Sequence, residues 1–306
     1  MRSKVIKRKS KLLRQDQISY ITMLLPSILF LLVFAYIPMA GLIIAFQKFR
    51  PSLGLFGNQE WVGLKNFATL FNMPDFMQVV GNTIIISLCK TIFGFLAQVL
   101  FAILLSEIEV IGVRKGVQTI ACLPHFLSWV VVASMFTTVL SPEGGLINTI
   151  LGTKIYFLGE PSLFRGTVVF TDIWKEFGYG SIIYLTGIIG INPTLFEAAK
   201  IDGANKFQQI IYITLPGISG IMVLMLMLGL SNILNAGFDQ LFNMLNSQVY
   251  STGDTLDTYI YRMAFGVRVA RYDISAAAGF LKSILSFLLV SGGYYLAYKL
   301  FDYRLF

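Results

Sequence analysis

The sequence predicts an all-α polytopic membrane protein with six transmembrane helices. Three observations carry this. Of 306 residues, 56% are hydrophobic and only 13% charged, about half the charge of an ordinary soluble domain. Six apolar runs are each long enough for the roughly 20 residues a helix needs to cross a bilayer. The net charge of +8 is gathered at one end of the chain rather than spread over a soluble surface.

That end is residues 1–19. Arg2, Lys4, Lys7, Arg8, Lys9, Lys11 and Arg14 directly precede an apolar run. Such a tail can bind nucleic acid, but beside a span it reads as a cytoplasmic anchor near anionic lipid. The remainder, 20–306, reads as one six-helix domain.

The first span is Ile21 to Phe46, uncharged and too long for a signal-peptide core. Pro26 and Pro38 lie inside it, which membrane helices tolerate. The second is Val79 to Ser106, interrupted by Lys90. The third, Gly116 to Leu140, is uncharged. The fourth, Gly166 to Ile191, carries Asp172, Lys175 and Glu176. The fifth is Tyr212 to Asn235, and the sixth Ser275 to Leu300, interrupted by Lys282.

An even number of spans puts both termini on one side. With them inside, the short inner segments and the edge residue Lys299 hold thirteen basic residues, against eight in the longer outer loops. The denser basic side is the cytoplasm. In the third outer loop, Thr255 to Phe265 reads as a short helix lying across the outer mouth.

Cys89 and Cys122 lie inside apolar runs and His125 is the lone histidine. They offer no disulfide framework and no metal-ligand spacing. No nucleophile–base pair stands out, so no catalytic residue is assigned. No G-x-x-x-x-G-K-[ST] loop is present to cradle phosphates.

One segment departs from a simple span pattern. Within residues 192–216, Thr194 and Glu197 have capping-box spacing, Gly203 can end that helix in a left-handed conformation, and a second helix can begin near Asn205. Phe196, Ala199, Phe207, Ile210 and Ile211 offer apolar contacts near the corner. The result is a compact elbow at about 192–211 on the cytoplasmic face. It reads either as a docking knob for another protein or as an interfacial helix linking two spans.

The segment Glu197-Ala198-Ala199, then Asp202-Gly203-Ala204, then Ile213-x-Leu215-Pro216 resembles the EAA signature of binding-protein-dependent ABC importer permeases. Both internal spacings hold without a gap. Leu25-Pro26-Ser27, Phe34-Ala35-Tyr36-Ile37-Pro38, Trp61 to Phe67, Asn82-Thr83 and Trp174 to Gly178 resemble its carbohydrate branch, especially permeases for complex polysaccharides, lipoproteins or aldouronates.

The resemblance implies a type I importer permease fold and import of oligosaccharides or glycans. It implies that the elbow is a coupling helix, with Glu197, Ala198, Ala199, Asp202, Gly203 and Ala204 at the contact. Glu197 would offer its carboxylate to a basic residue of a separate ATPase, and Asp202 would help hold the elbow. The implied partners are an ABC ATPase dimer, a second and non-identical permease, an extracellular solute-binding protein and membrane lipid. ATP and Mg would reside on the ATPase, with no cofactor on this chain and no nucleic-acid partner. The implied location is a bacterial cell membrane, Gram-positive hosts being frequent for short permeases of this branch.

Charged groups inside a membrane cost about 2.5–3.5 kcal/mol each on insertion scales and so face a cavity or a partner. Asp172, Lys175, Glu176 and Tyr179 share one face of the fourth span, with Trp174 adjacent. They can line a substrate path, or Lys175 can simply pair with Asp172 or Glu176. Asn232, Asn235 and Asp239 form a second polar stripe, with Phe238 and Tyr184 as possible platforms for sugar rings. Interhelical hydrogen bonding explains that stripe equally. Lys90 and Lys282 read as bundle-facing or snorkelling, with no substrate role. The competing function is an ion-coupled secondary sugar transporter with Asp172 and Glu176 as its relay.

Overall fold

The computed structural model describes residues 19–55, 57–231, 233–266 and 270–301. Most of the basic tail, residues 1–18, lies outside the described residues, as does Asn232. Four helices are long and apolar enough to cross a membrane: Ser19–Phe46, Phe76–Ser106, Lys206–Gly229 and Tyr272–Tyr295. Counting each of two bent helix pairs as one span brings the total among the described residues to six.

The first and fifth spans share a device. A π-helical stretch, Leu32–Tyr36, lies just before Pro38, and another, Ile210–Thr214, just before Pro216. Proline cannot donate to the carbonyl four residues back, and its ring crowds that carbonyl. One wider turn relieves the crowding: Ile37 N–H reaches Leu32 O, and Leu215 N–H reaches Ile210 O. The helix therefore continues through each proline.

The third span is not the continuous helix expected. Ile111–Phe126 and Trp129–Val139 meet at 100°. Pro124 sits in a 3₁₀ turn, Leu123–Phe126, after which Leu127 and Ser128 are extended. Ser128 Oγ then accepts from Val131 N–H and restarts the helix. The fourth span, Pro161–Ile189, meets the next helix, Pro193–Ile201, at 69°.

The second and fourth spans lie along each other and form the axis of the bundle. Toward the end nearest the elbow, Val99, Ala102, Leu105, Tyr184, Ile188 and Ile218 are buried between the second, fourth and fifth spans. Toward the opposite end, Val132, Phe136, Phe164 and Val168 pack with Leu241 and Met244 of a short helix, Phe238–Met244. Gly178 lets the fourth span pass the third closely, since an added Cβ would collide with the Ala121 carbonyl.

The expected outer helix is present as Leu256–Phe265, started by a Thr255–Thr258 capping box. Asp254, buried at its start, pairs with Arg262 at 2.5 Å and accepts from Thr258 at 2.8 Å. Burial disfavours the Arg262 charge, but the hydrogen bond and charge of Asp254 outweigh it and hold the guanidinium above its usual range. Arg165 of the fourth span donates to Asn82 Oδ1 at 2.6 Å, and Asn82 donates to the Asp254 carbonyl at 3.1 Å. The outer loop is thus pinned to the bundle axis. By contrast, the side chains of residues 20–39 in the first span are exposed. An apolar surface of that size in a membrane protein belongs against lipid or another subunit.

Candidate functional site: the elbow and the central cavity

The backbone of the elbow forms as its sequence directs, with one change at its start. Pro193 takes the first helical position, and Asn192 Oδ1 accepts from Thr194 N–H at 3.1 Å. The helix therefore begins one residue before Thr194, and Thr194 and Glu197 do not form the expected capping box. Glu197 is exposed, and its carboxylate has no hydrogen bond or ion pair among the described residues.

The other end follows the sequence. Gly203 has φ +82°, its N–H bonds to Lys200 O at 3.1 Å, and Ala204 N–H bonds to Ala199 O at 2.8 Å. This pair of bonds is a Schellman closure. Asp202 N–H bonds to Ala198 O at 3.0 Å. Asp202 holds the corner through this backbone bond, not through its exposed side chain. Asn205 and Gln208 then form a capping box that starts the next helix, and Gln209, buried, donates to Ala204 O at 2.9 Å. Lys206 pairs with Glu107 at the inner end of the second span at 2.5 Å.

Phe207 does not pack into the corner as expected. It is 70% exposed, and Ile201 at the end of the preceding helix is 87% exposed. Glu197 and Ala198 are exposed as well, so the elbow offers both apolar groups and an unpaired carboxylate to its surroundings.

The second feature is a cavity of about 290 Å³ between the second, fourth and fifth spans. Lys90, Gln98, Asp172, Glu176 and Tyr184 contribute its polar lining, with Phe95 and Met225 among the apolar groups. Lys90 pairs with Asp172 at 3.1 Å, donates to Ala236 O at 2.8 Å and also contacts Gln240 Oε1. Three acceptors satisfy the three ammonium protons. Gln240, wholly buried, donates in turn to Val168 O and Thr171 Oγ1, each at 2.8 Å. The lysine thereby ties the second span to the fourth and to the helix Phe238–Met244.

Glu176 bridges two neighbours. Lys175, 5% exposed, donates to it at 3.1 Å and to the His125 carbonyl at 2.6 Å. His125 Nδ1 lies 2.7 Å from the other carboxylate oxygen, and its ring stacks on Tyr179 at 3.8 Å. Lys175 thus pairs with Glu176 as anticipated, while Asp172 finds Lys90 instead.

The expected substrate-path residues do not all converge. Asp172, Glu176 and Tyr184 reach the cavity. Tyr184 is 1% exposed and set edge-on to Phe95 at 6.0 Å, so it is a wall rather than an open platform. Trp174 points away and packs at 90° on Phe136 in the outer core. Tyr179 faces a separate apolar groove. Asn235 accepts from Lys282 at 2.6 Å, and Lys282 also pairs with Asp257 at 2.5 Å. Asp239 is exposed and does not line the cavity. Lys90 faces the bundle as expected, but its place in the cavity lining, and the roles of Gln98 and Gln240, were missed by sequence reasoning. A lysine inside an apolar run was the available signal, since such a charge needs a partner or a cavity.

The chain is similar in sequence and fold to known proteins. The family model described as "Binding-protein-dependent transport system inner membrane component" matches residues 113–305. The polygalacturonan/rhamnogalacturonan transport system permease protein YteP of Bacillus subtilis (strain 168) is 38% identical, over 93% of this chain and 89% of its own length. Protein LplB of the same organism is 36% identical, over 94% and 90%. A crystal structure of a bacterial ABC transporter involved in import of the acidic polysaccharide alginate contains a chain that superposes with TM-score 0.85. That chain is 38% identical, with 96% of this chain and 99% of it covered. A second crystal structure, of the alginate transporter with a pentasaccharide-bound periplasmic protein, gives TM-score 0.84 at 38% identity, covering 94% and 96%. With the elbow, the six-span bundle and these matches together, the chain belongs to the inner-membrane permease components of binding-protein-dependent ABC transport systems.

Proposed function

We infer that this chain is one of two membrane subunits of an ATP-driven importer of oligosaccharides. The elbow carries the inference. Its Schellman corner at Gly203 fixes two helices rigidly, and Glu197, Ile201 and Phe207 are left exposed. Exposed apolar groups together with an unpaired carboxylate fit a groove with a basic residue on a separate ATPase. Glu197, Ala198, Ala199, Asp202, Gly203 and Ala204 form that contact.

ATP and Mg bind the ATPase pair, whose closure carries the docked elbows toward each other. The two permeases rock between inward-open and outward-open states as rigid bodies. The sister permease is a different chain, and an extracellular binding protein delivers the sugar. Both termini face the bacterial cytoplasm, as the basic residues direct. Relatives named for polygalacturonan/rhamnogalacturonan and for alginate support a glycan cargo. The cavity suits it: Asp172, Glu176 and Gln98 can bind hydroxyls, with Phe95 beside them.

The test is uptake of labelled oligosaccharides by the whole transporter in proteoliposomes. Uptake should require the binding protein and ATP hydrolysis, and should survive ionophores that collapse ion gradients. Uptake driven by an ion gradient without ATP would replace this reading with secondary transport.

A further inference from the structure

Six aromatic rings outside the cavity form an unbroken row. Phe49 of the first outer loop meets Tyr272 at 6.1 Å between ring centres, Tyr272 meets Phe265 at 6.4 Å, and Phe265 meets Tyr261 at 5.1 Å. Tyr261 meets Phe242 at 4.9 Å and Phe238 at 5.6 Å, and those two stack at 5.3 Å. Phe242, Tyr261 and Phe265 remain 49%, 40% and 67% exposed.

The row has a direction. Phe238 follows Gly237, where an added Cβ would lie 2.8 Å from Lys90 Nζ. Lys90 belongs to the cavity lining and sits well inside the second span, about 21 Å along it from Phe76 at 1.5 Å per residue. The row therefore runs from the first outer loop to Phe238, whose chain neighbour Gly237 lies against Lys90 of the cavity lining. An aromatic belt that anchors a protein at the lipid interface gathers instead at one depth.

Polar groups accompany the rings. Asp239 and Asn243 are exposed on the helix that carries Phe238 and Phe242. Asp257 lies one turn before Tyr261 and is held by Lys282, which also holds Asn235. Lipid tails gain nothing from carboxylates and amides beside a ring. Pyranose sugars gain from both, through C–H faces on the rings and hydroxyls on the acceptors.

Resting on the oligosaccharide reading above, we propose that this row is a stacking track for a glycan chain, leading from the outer mouth to the cavity at Lys90 and Asp172. A track made of ring faces is tolerant of which sugar passes, because each pyranose offers a similar C–H face. Its grip grows with the number of sugar units laid along it.

The experiment uses the whole transporter in proteoliposomes, with Tyr261→Leu, Phe242→Leu, the double variant and Tyr261→Trp. Leucine keeps an apolar side chain but removes the ring face. Tracking predicts that each leucine lowers uptake of a tetrasaccharide about threefold and the double variant about tenfold, in line with the worth of an aromatic contact. A disaccharide should lose less, and Tyr261→Trp should stay within about twofold of wild type. Uptake by the double variant equal to wild type at every chain length overturns the proposal. So does a leucine variant whose subunits come apart on gel filtration, which would assign the row to a subunit interface. Equal losses for leucine and tryptophan also overturn it. Wild-type transporter that takes up no oligosaccharide with ATP sinks the functional reading itself, a result visible without any variant.

Discussion

Gly203→Val should reduce ATP-driven uptake at least about tenfold while leaving the bundle folded. Gly203 lies at φ +82°, and a Cβ built there meets nothing within 4 Å. The cost is therefore backbone strain, not a clash. For an ordinary L-residue the left-handed region costs about 1–2 kcal/mol, and a β-branched residue fares worse. The chain can relieve it only by giving up the Ala204-to-Ala199 bond that closes the corner. The two elbow helices would then change their angle, and the elbow would miss its groove. Gly203→Asn should keep most of the activity, because asparagine visits this region readily. Uptake and ATP hydrolysis measured side by side check the claim: hydrolysis that persists without uptake is the expected pattern for valine. A valine variant that transports normally would show that the corner does not transmit the stroke.

Lys90→Met should destabilise the bundle by about 3–5 kcal/mol, the usual cost of removing one partner from a buried ion pair. Methionine fills similar space but leaves Asp172, Ala236 O and Gln240 Oε1 without their donor. Asp172, half-buried at the cavity wall with its side chain 24% exposed, would then be an unpaired carboxylate inside the bundle. Adding Asp172→Leu removes that charge and should recover most of the loss, since an apolar pair in place of a buried ion pair is often neutral. Denaturation in detergent of wild type, the two single variants and the double gives the coupling directly. Additive effects would mean that the pair is not a unit.

Much of the fold was readable because its determinants are local. A run without charges marks a span whatever surrounds it, so the first, second and sixth spans sit close to their expected bounds. The break in the third span was harder to read. Pro124 was an available signal that was not read as a break, and the turn is completed by two extended residues, Leu127 and Ser128, whose backbone choice depends on what the span packs against. The elbow's exit was legible in Gly203, since few other residues accept its φ. Its entry was misread because Thr194 and Glu197 have the right spacing, whereas Pro193 prefers the first helical position and so makes Asn192 the cap.

The cavity divides in the same way. Asp172 and Glu176 are four residues apart and share a face, so their common lining role follows from helical period. Trp174 is two residues from Asp172 and therefore turns away, which the period alone should have told. The partner of Asp172 was not legible. Lys90 is 82 positions away in the chain, and only the relative height of the second and fourth spans brings the two to 3.1 Å. The aromatic row depends likewise on how separate outer segments meet.

The coupling claim is tested most directly by crosslinking at Ala198. Ala198→Cys, in a chain whose Cys89 and Cys122 have been replaced, should form an adduct with the ATP-hydrolysing subunit in an assembly still able to import sugar. Its yield should change when ATP is added. An assembly that imports normally yet never joins position 198 to an ATPase subunit would contradict the account.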